Sequence, residues 1–223
     1  MLFDLDGTLA DTARDLAAAL NSVLEEEQRA PLPFAQIRPH VSNGAAALIT
    51  FGFGTGLDAQ SPHFTQLRQR LVDIYASRLT EETTLFPGMG SLLEYIEQHG
   101  MKWGIVTNKP AFLTEPLMDQ LGLSARCCCI VSGDSTANRK PHPEPLLYAC
   151  RLAASRAPHC VYIGDAERDI QAGRRAGMRT IVALFGYIDA NDTPSNWGAD
   201  YLVQAPHEIQ PWLTKQSTNN PAL

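Results

Sequence analysis

Asp4 and Asp6 stand two residues apart at the end of the short apolar run that opens the chain, and Gly7-Thr8 follows at once. Side chains at i and i+2 of a strand share a face, with Cα atoms about 6.6 Å apart. The two carboxylates can therefore address one reacting group from the same side. A plainer reading is an Asx-type turn, in which an Asp caps backbone amides. That turn accounts for one Asp, but not for two on one face beside a glycine. The pair reads as catalytic. Three later strings add groups of the same kind. Gly104-Ile105-Val106-Thr107-Asn108-Lys109 is an apolar run ending in a hydroxyl residue, and Lys140-Pro141-His142-Pro143 sets a lysine in a proline-rich turn. Gly164-Asp165-Ala166-Glu167-Arg168-Asp169 supplies two more carboxylates after another apolar run. Singly, each has an ordinary explanation: Thr107 as a strand-end residue, Lys140 as a solvated loop charge, Asp169 as a first-turn partner of a helix dipole.

In their order and context these four strings resemble the motifs of the haloacid-dehalogenase-like hydrolases, most of which are phosphatases. The resemblance runs from Met1 to about Val203. It implies that Asp4 is the nucleophile, forming an aspartyl-phosphate, and that Asp6 is the general acid and base. It further implies that the Thr107 hydroxyl and the Asn108 backbone amide hold phosphate oxygens, while Lys140 brings positive charge to the transferring group and orients Asp4. Asp4, the Asp6 carbonyl and Asp165 would bind Mg²⁺, with Asp169 acting through metal-bound water. Within the family, dehalogenases lack a carboxylate at the position of Asp6 and P-type ATPases have Thr there. Asp6 thus favours a phosphatase or a phosphomutase.

The elements that must position these groups follow from periodicity. After residue 85, apolar runs alternate with amphipathic stretches, the pattern of βα units and a parallel sheet. Strands are expected at 102–107, 127–131, 160–164, 179–184 and 201–203, and helices at 143–154 and 168–176, with 115–121 inside another. Residues 12–84 break that rhythm: Leu16, Ala19, Leu20, Val23 and Leu24 follow helical spacing, as do Leu67, Leu71, Ile74 and Tyr75. The expected fold is α/β, a Rossmann-like three-layer parallel-sheet core with a small all-helical cap inserted after the first strand. The core would comprise 1–11 and 85–213 and the cap 12–84, with hinges near 11–14 and 85–88. The polar tail 214–223 is expected to be disordered. This layout resembles the family's phosphoglycolate-phosphatase-like branch.

Open parallel sheets place ligands at the carboxyl ends of their strands. Asp4, Asp6, Thr107 and Asp165 fall at such ends, and Lys140 follows another. The same convergence gathers Asp4, Asp6, Asp165 and Asp169 in one cleft. Each like-charge pair at 4 Å costs about 1 kcal/mol in water and several-fold more in a partly dry site. A hard divalent cation answers that repulsion, and all-oxygen ligation points to Mg²⁺. Zn²⁺ is disfavoured because no His/Cys cluster accompanies the carboxylates. Substrate choice would lie in the cap, where His40, Ser42, Asn43 and Gly44 open an apolar helix at 45–49. Equally, Ser42 or Asn43 could serve only as an N-cap. Arg14, Arg29, Arg38, Arg68, Arg70 and Arg78 are further cap candidates for a second anionic group.

Composition excludes several classes. The 223 residues carry a formal net charge of −6 with 44% hydrophobic and 19% charged residues, ordinary for a globular protein and unsuited to polyanion binding. No apolar run approaches a membrane span, and no basic segment leads an apolar stretch at the start. The five cysteines include the run Cys127-Cys128-Cys129 inside an apolar stretch and form no CxxC pair, so reduced core thiols are expected. A small phosphate ester is the expected partner, with no nucleic acid and no membrane, for a monomer or homodimer in the cytoplasm. Gly186-Tyr187-Ile188 and Ser195-Asn196-Trp197-Gly198-Ala199-Asp200 resemble pseudomonad-type N-acetylmuramic acid 6-phosphate phosphatases, as does the stretch from Trp103 to Pro110. That kinship implies a sugar-phosphate substrate from cell-wall recycling. The rivals are 2-phosphoglycolate, a phosphomutase activity, and an inactive binding module, the last opposed by the intact Asp4, Asp6, Lys140 and Asp165.

Overall fold

The computed structural model describes residues 1–54 and 56–219, with side chains through residue 214. In chain order the elements are β1 (Leu2–Phe3), β2 (Ala10–Asp11), α1 (Ala13–Glu26), α2 (Phe34–Ile37), α3 (Gly44–Phe53), α4 (Pro62–Ala76), β3 (Thr84–Leu85), α5 (Met89–Gln98) and β4 (Gly104–Val106). They continue with α6 (Ala111–Gln120), β5 (Ile130–Val131), α7 (Glu144–Leu152), β6 (Val161–Gly164), α8 (Glu167–Arg175), β7 (Arg179–Ala183), β8 (Tyr201–Val203) and α9 (Ile209–Asn219).

Six strands form one parallel sheet in the order β5-β4-β1-β6-β7-β8, with Leu2 opposite both Gly104 and Tyr162. Alternation along each strand divides its side chains between two layers. Phe3, Ile105, Ile163 and Ile181 face a layer containing Leu92, Leu93 and Ile96 of α5, Leu113 and Leu117 of α6, and Trp212 of α9. Leu2, Val106 and Tyr162 face the opposite way, onto Leu146 and Ala149 of α7 and Ala172 of α8. This is the expected three-layer α/β architecture. Burial on both faces is why these strands read as continuous apolar runs.

Between β2 and β3 the chain is helical. The periodic residues of α1 are buried, and α4 buries Phe64, Leu67, Leu71 and Tyr75. The two crossings between this helical unit and the sheet are tied together. β2 and β3 pair antiparallel, Ala10 opposite Leu85 and Asp11 opposite Thr84. Asp15, fully buried in the first turn of α1, accepts hydrogen bonds from the Glu82 and Thr83 backbone N–H groups and the Thr83 hydroxyl at 2.7–3.1 Å. Tyr187 pins the ribbon to the sheet, its hydroxyl donating to Asp11 Oδ1 at 2.7 Å.

Two expectations need correction. The strand expected at 127–131 contains only Ile130 and Val131, because β5 is an edge strand that pairs with β4 at those two residues. The Cys127 N–H instead bonds Leu123 O as the chain leaves α6. Cys129, Cys150 and Cys160 are buried free thiols, whereas Cys128 is exposed. The first part of the expected disordered tail is helical. Ile209, Trp212 and Leu213 are buried, and the helix they anchor continues through Asn219. The expectation for residues 220–223 lies outside the described residues. Among the described residues, no helix is long and apolar enough to cross a membrane.

Candidate active site

Asp4, Thr107 and Asp165 follow β1, β4 and β6 directly, and these three strands are neighbours with β1 in the middle. The strand order reverses here, so the crevice at their carboxyl ends is where an open parallel sheet accepts ligands. Asp165 reaches it through a gap only glycine can leave. A Cβ at Gly7, whose φ is +80°, would lie 2.1 Å from Asp165 Oδ2, and one at Gly186 would lie 2.3 Å from Asp165 Cβ. A positive φ and a close approach both demand the missing side chain at Gly7.

Asp4, Asp165 and Asp169 are buried, and each places a carboxylate oxygen within 4.8 Å of the others. Burial, then Asp4 and Asp169, pushes the Asp165 carboxyl up to about 7 against the smaller pull of the Tyr187 N–H and the Ser42 hydroxyl. Burial likewise raises Asp4, opposed by Lys140. The Lys140 Nζ stands 2.9 Å from Asp4 Oδ1 and 2.8 Å from Asp169 Oδ1, with the Tyr162 hydroxyl at 2.7 Å and Val106 O at 3.0 Å. Burial alone would depress this ammonium, but Asp169 and Asp4 outweigh it and hold its pKa above the ordinary lysine value. Lys140, with the half-buried Arg168 guanidinium beyond ion-pair range, thus faces three buried carboxylates. An all-oxygen, buried donor set with that excess of negative charge fits a hard divalent cation.

The oxygens left over are informative. Asp4 Oδ1 accepts from the Leu5 N–H at 2.8 Å as well as pairing with Lys140, so Oδ2 is the freer oxygen. Thr107 Oγ1 accepts the Lys109 N–H at 3.1 Å, which leaves its own proton for a ligand oxygen. The Asn108 side chain turns to Lys140, its Nδ2 donating to the backbone carbonyl and its Oδ1 accepting the backbone N–H, both at 3.0 Å. Asn108 therefore fixes the segment that delivers Lys140. Asp169 also accepts the Ala166 N–H at 3.0 Å, so it serves the helix start and the carboxylate cluster together.

Asp6 is aimed away from that cluster. Its Oδ1 accepts from the Thr12 hydroxyl at 2.6 Å and from Lys109 Nζ at 2.9 Å. Lys109 Nζ donates in turn to the hydroxyl of Tyr75 on α4 at 2.9 Å. Burial opposes the Lys109 charge, but Asp6 and Tyr75 overcome it and raise its pKa, while burial pushes Tyr75 up to about 12. Sequence reasoning gave Lys109 and Tyr75 no part in the site. In the sequence nothing separates Lys109, at the end of the Gly104–Lys109 string, from a surface lysine, and Tyr75 is one more apolar position on a helix.

The helical unit closes over the crevice through the segment 38–43. Ser42 Oγ donates to Asp165 Oδ2 at 2.9 Å, and Arg168 donates to Ser42 O at 2.6 Å and Asn43 Oδ1 at 3.1 Å. Neither Ser42 nor Asn43 caps α3 with its side chain, so the simple N-cap reading fails. Both are drawn to groups of the sheet instead. His40 packs on Phe51 in a tilted ring contact, 4.1 Å between centroids, and does not line the cavity. That cavity, about 530 Å³, is bounded by Asp4, Asp6, Thr107, the Ser42–Gly44 segment and one face of α4.

Removing Lys109 would leave the largely buried Asp6 carboxylate without its ammonium partner. Lys109→Met is therefore expected to destabilise the fold by about 3–5 kcal/mol. Adding Asp6→Asn should recover part of that loss. Urea unfolding of the four proteins of the cycle reads the coupling, and additive losses would mean the pair does not interact.

Comparison with known proteins identifies the family. A family model described as haloacid dehalogenase-like hydrolase matches residues 1–183. The chain is 43% identical over 209 residues to a phosphoglycolate phosphatase of Xanthomonas campestris pv. campestris, covering 94% of this chain and 93% of that one. It is 40% identical over 210 residues to an N-acetylmuramic acid 6-phosphate phosphatase of Pseudomonas putida, covering 94% and 93%. A crystal structure of a predicted phosphoglycolate phosphatase from Haemophilus somnus superposes with a TM-score of 0.84 at 24% identity, covering 95% and 96%, and shares the fold. The chain belongs to the haloacid dehalogenase-like hydrolases.

Proposed function

We propose that this hydrolase is a Mg²⁺-dependent phosphatase that acts in the cytoplasm on N-acetylmuramic acid 6-phosphate, and that residues 12–84 form its cap. It is a phosphoric monoester hydrolase. The observation that carries the substrate reading is the cavity of about 530 Å³ above Asp4, a size suited to a substituted sugar. The Pseudomonas relative supports the same reading by its name. Hydrolysis of 2-phosphoglycolate is the second reading, favoured by the name of the Xanthomonas relative.

In the proposed reaction Asp4 Oδ2 attacks phosphorus, the bond from phosphorus to the sugar oxygen breaks, and an aspartyl-phosphate forms. Lys140 and the Leu5 N–H hold Asp4 Oδ1 and so aim Oδ2 at the cavity. Thr12 and Lys109 hold Asp6 Oδ1 in the same way, leaving Oδ2 to protonate the departing sugar oxygen. Asp6, now a carboxylate, takes a proton from the water that cleaves the phosphate from Asp4. The Thr107 hydroxyl and the Asn108 N–H bind phosphate oxygens. Asp4, the Asp6 carbonyl and Asp165 would hold Mg²⁺, with Asp169 acting through metal-bound water, and the ion when bound would screen the repulsion between a carboxylate nucleophile and a phosphate dianion.

Asp4→Asn should abolish both turnover and phosphoenzyme formation, since the amide cannot attack phosphorus. Asp6→Asn should lose steady-state rate yet still accept phosphate from an activated aryl ester, whose leaving group needs little protonation. Rapid-quench measurement of the phosphoenzyme separates the two, and identical behaviour with every leaving group would refute the division of roles.

A second expectation concerns the cation. The Asp165 pKa is raised from 3.8 to about 7 in the ion-free protein. Ion-free stability from this group is therefore greatest at acid pH and declines as pH rises from about 4 to 7, when the carboxylate ionises beside Asp4 and Asp169. Mg²⁺ needs the ionised form, so it should raise Tm more at pH 8 than at pH 5.5. Calorimetry at both pH values checks this, and an equal shift would take the carboxylates out of the ion site. Activity should vanish with EDTA and return with Mg²⁺.

Substrate choice is tested by parallel steady-state kinetics. The proposal expects a higher kcat/KM for N-acetylmuramic acid 6-phosphate than for 2-phosphoglycolate, and the reverse order would select the second reading.

A further inference from the structure

Both candidate substrates carry a carboxylate in addition to the phosphate, and a buried or half-buried carboxylate calls for a guanidinium partner. The helical unit offers six arginines, and five are engaged away from the cavity. Arg14 lies over the Phe34 ring and Arg29 over Phe53, whose carbonyl it also binds. Arg38 donates to Phe185 O and Gly186 O, Arg70 grips Glu26 with two nitrogens, and Arg78 pairs with Glu81. Arg68 is the one of the six that lines the cavity, and it has no hydrogen-bond or ion-pair partner among the described residues.

Its setting gives the chemistry of the ligand. Arg68, Val72 and Tyr75 share one face of α4 at spacings of four and seven residues, and all three line the cavity. Tyr75 reaches Lys109 beside Asp6, so this stripe runs from the reacting end outward to Arg68. Phe112 of α6 lines the same cavity while 58% exposed, an apolar surface turned to the ligand space. Arg68 is exposed at the cavity, and a guanidinium sharing that space with Val72 and Phe112 suits a carboxylate borne on a short apolar arm. Arg139 and Arg168 also line the cavity but are tied to backbone carbonyls, at Gly133 and Ser42.

We propose that Arg68 is the specificity-determining residue of the enzyme, pairing with a substrate carboxylate remote from the transferred phosphate. This rests on the phosphatase reading of the same cavity. The test uses wild type, Arg68→Ala and Arg68→Lys with N-acetylmuramic acid 6-phosphate, N-acetylglucosamine 6-phosphate, 2-phosphoglycolate and ethyl phosphate. The second and fourth lack the carboxylate of the first and third. Arg68→Ala should lower kcat/KM about 10- to 100-fold on the carboxylated member of whichever pair wild type prefers. The loss should be at least about tenfold larger than on its neutral counterpart, fall mainly on KM, and be partly restored by lysine. The affected pair identifies whether the carboxylate belongs to the sugar or to the small acid. Equal losses on both members, or a preference retained in Arg68→Ala, would overturn this inference alone. A wild-type enzyme indifferent to the carboxylate in both pairs would overturn it together with both substrate readings, leaving the aspartyl-phosphate chemistry to its own test.

Discussion

Three carboxylates packed within 4.8 Å of one another, out of water, set the terms for the rest of this molecule. Such a cluster is unfavourable in any fold, and it persists only where the surroundings over-determine it. Lys140 provides the one buried ammonium against it and is itself positioned by Asn108, by Tyr162 and by the carbonyl of Val106. The strand order places β1 between β4 and β6, and that arrangement forces Asp4 and Asp165 together. Gly7 and Gly186 leave the room that lets them approach. A deficit of positive charge left after Lys140 gives the site its appetite for a cation.

Much of this was legible in the sequence because the reactive groups sit at the ends of apolar runs, and strand ends converge in a parallel sheet. Asp4, Thr107 and Asp165 could be placed from that rule, and α1 and α4 from their apolar spacing. The Asp6–Lys109–Tyr75 chain could not. It joins residues 103 and 34 positions apart through side-chain tips, and neither helical spacing nor motif context encodes where a tip points. The cysteine run misled for a related reason. Its composition is that of a strand, and Cys128 and Cys129 do bond the backbone beside β4, but regular strand pairing begins only at Ile130 because Cys127 is held by the turn after α6. The start of the polar tail is not legible as helix, because Trp212 and Leu213 bury together and anchor a helix that runs on through polar residues to Asn219.

The segment 38–43 illustrates why an N-cap motif is ambiguous from sequence. Ser42 and Asn43 precede a helix and have the right chemistry to cap it. In the fold, stronger partners are within reach: a carboxylate for Ser42 and the guanidinium of Arg168 for Asn43. Charge-assisted hydrogen bonds of this kind outcompete neutral capping bonds. The helical unit is thus joined to the crevice by polar contacts at Ser42, Asn43 and Tyr75, beside the apolar cluster that it shares with the sheet.

The doubled crossing between the sheet and the helical unit has a mechanical consequence. Two independent connections would let the helices shear and twist over the crevice with several degrees of freedom. Here the outgoing and returning chains are paired residue for residue, Ala10 with Leu85 and Asp11 with Thr84, and Asp15 laces the next residues of one to the other. A paired ribbon resists stretching and in-plane sliding but bends about an axis lying across its width. Any motion of the helical unit over the crevice would thereby be restricted toward a single swing that carries the cavity-lining groups of α4 together on one arc over Asp4.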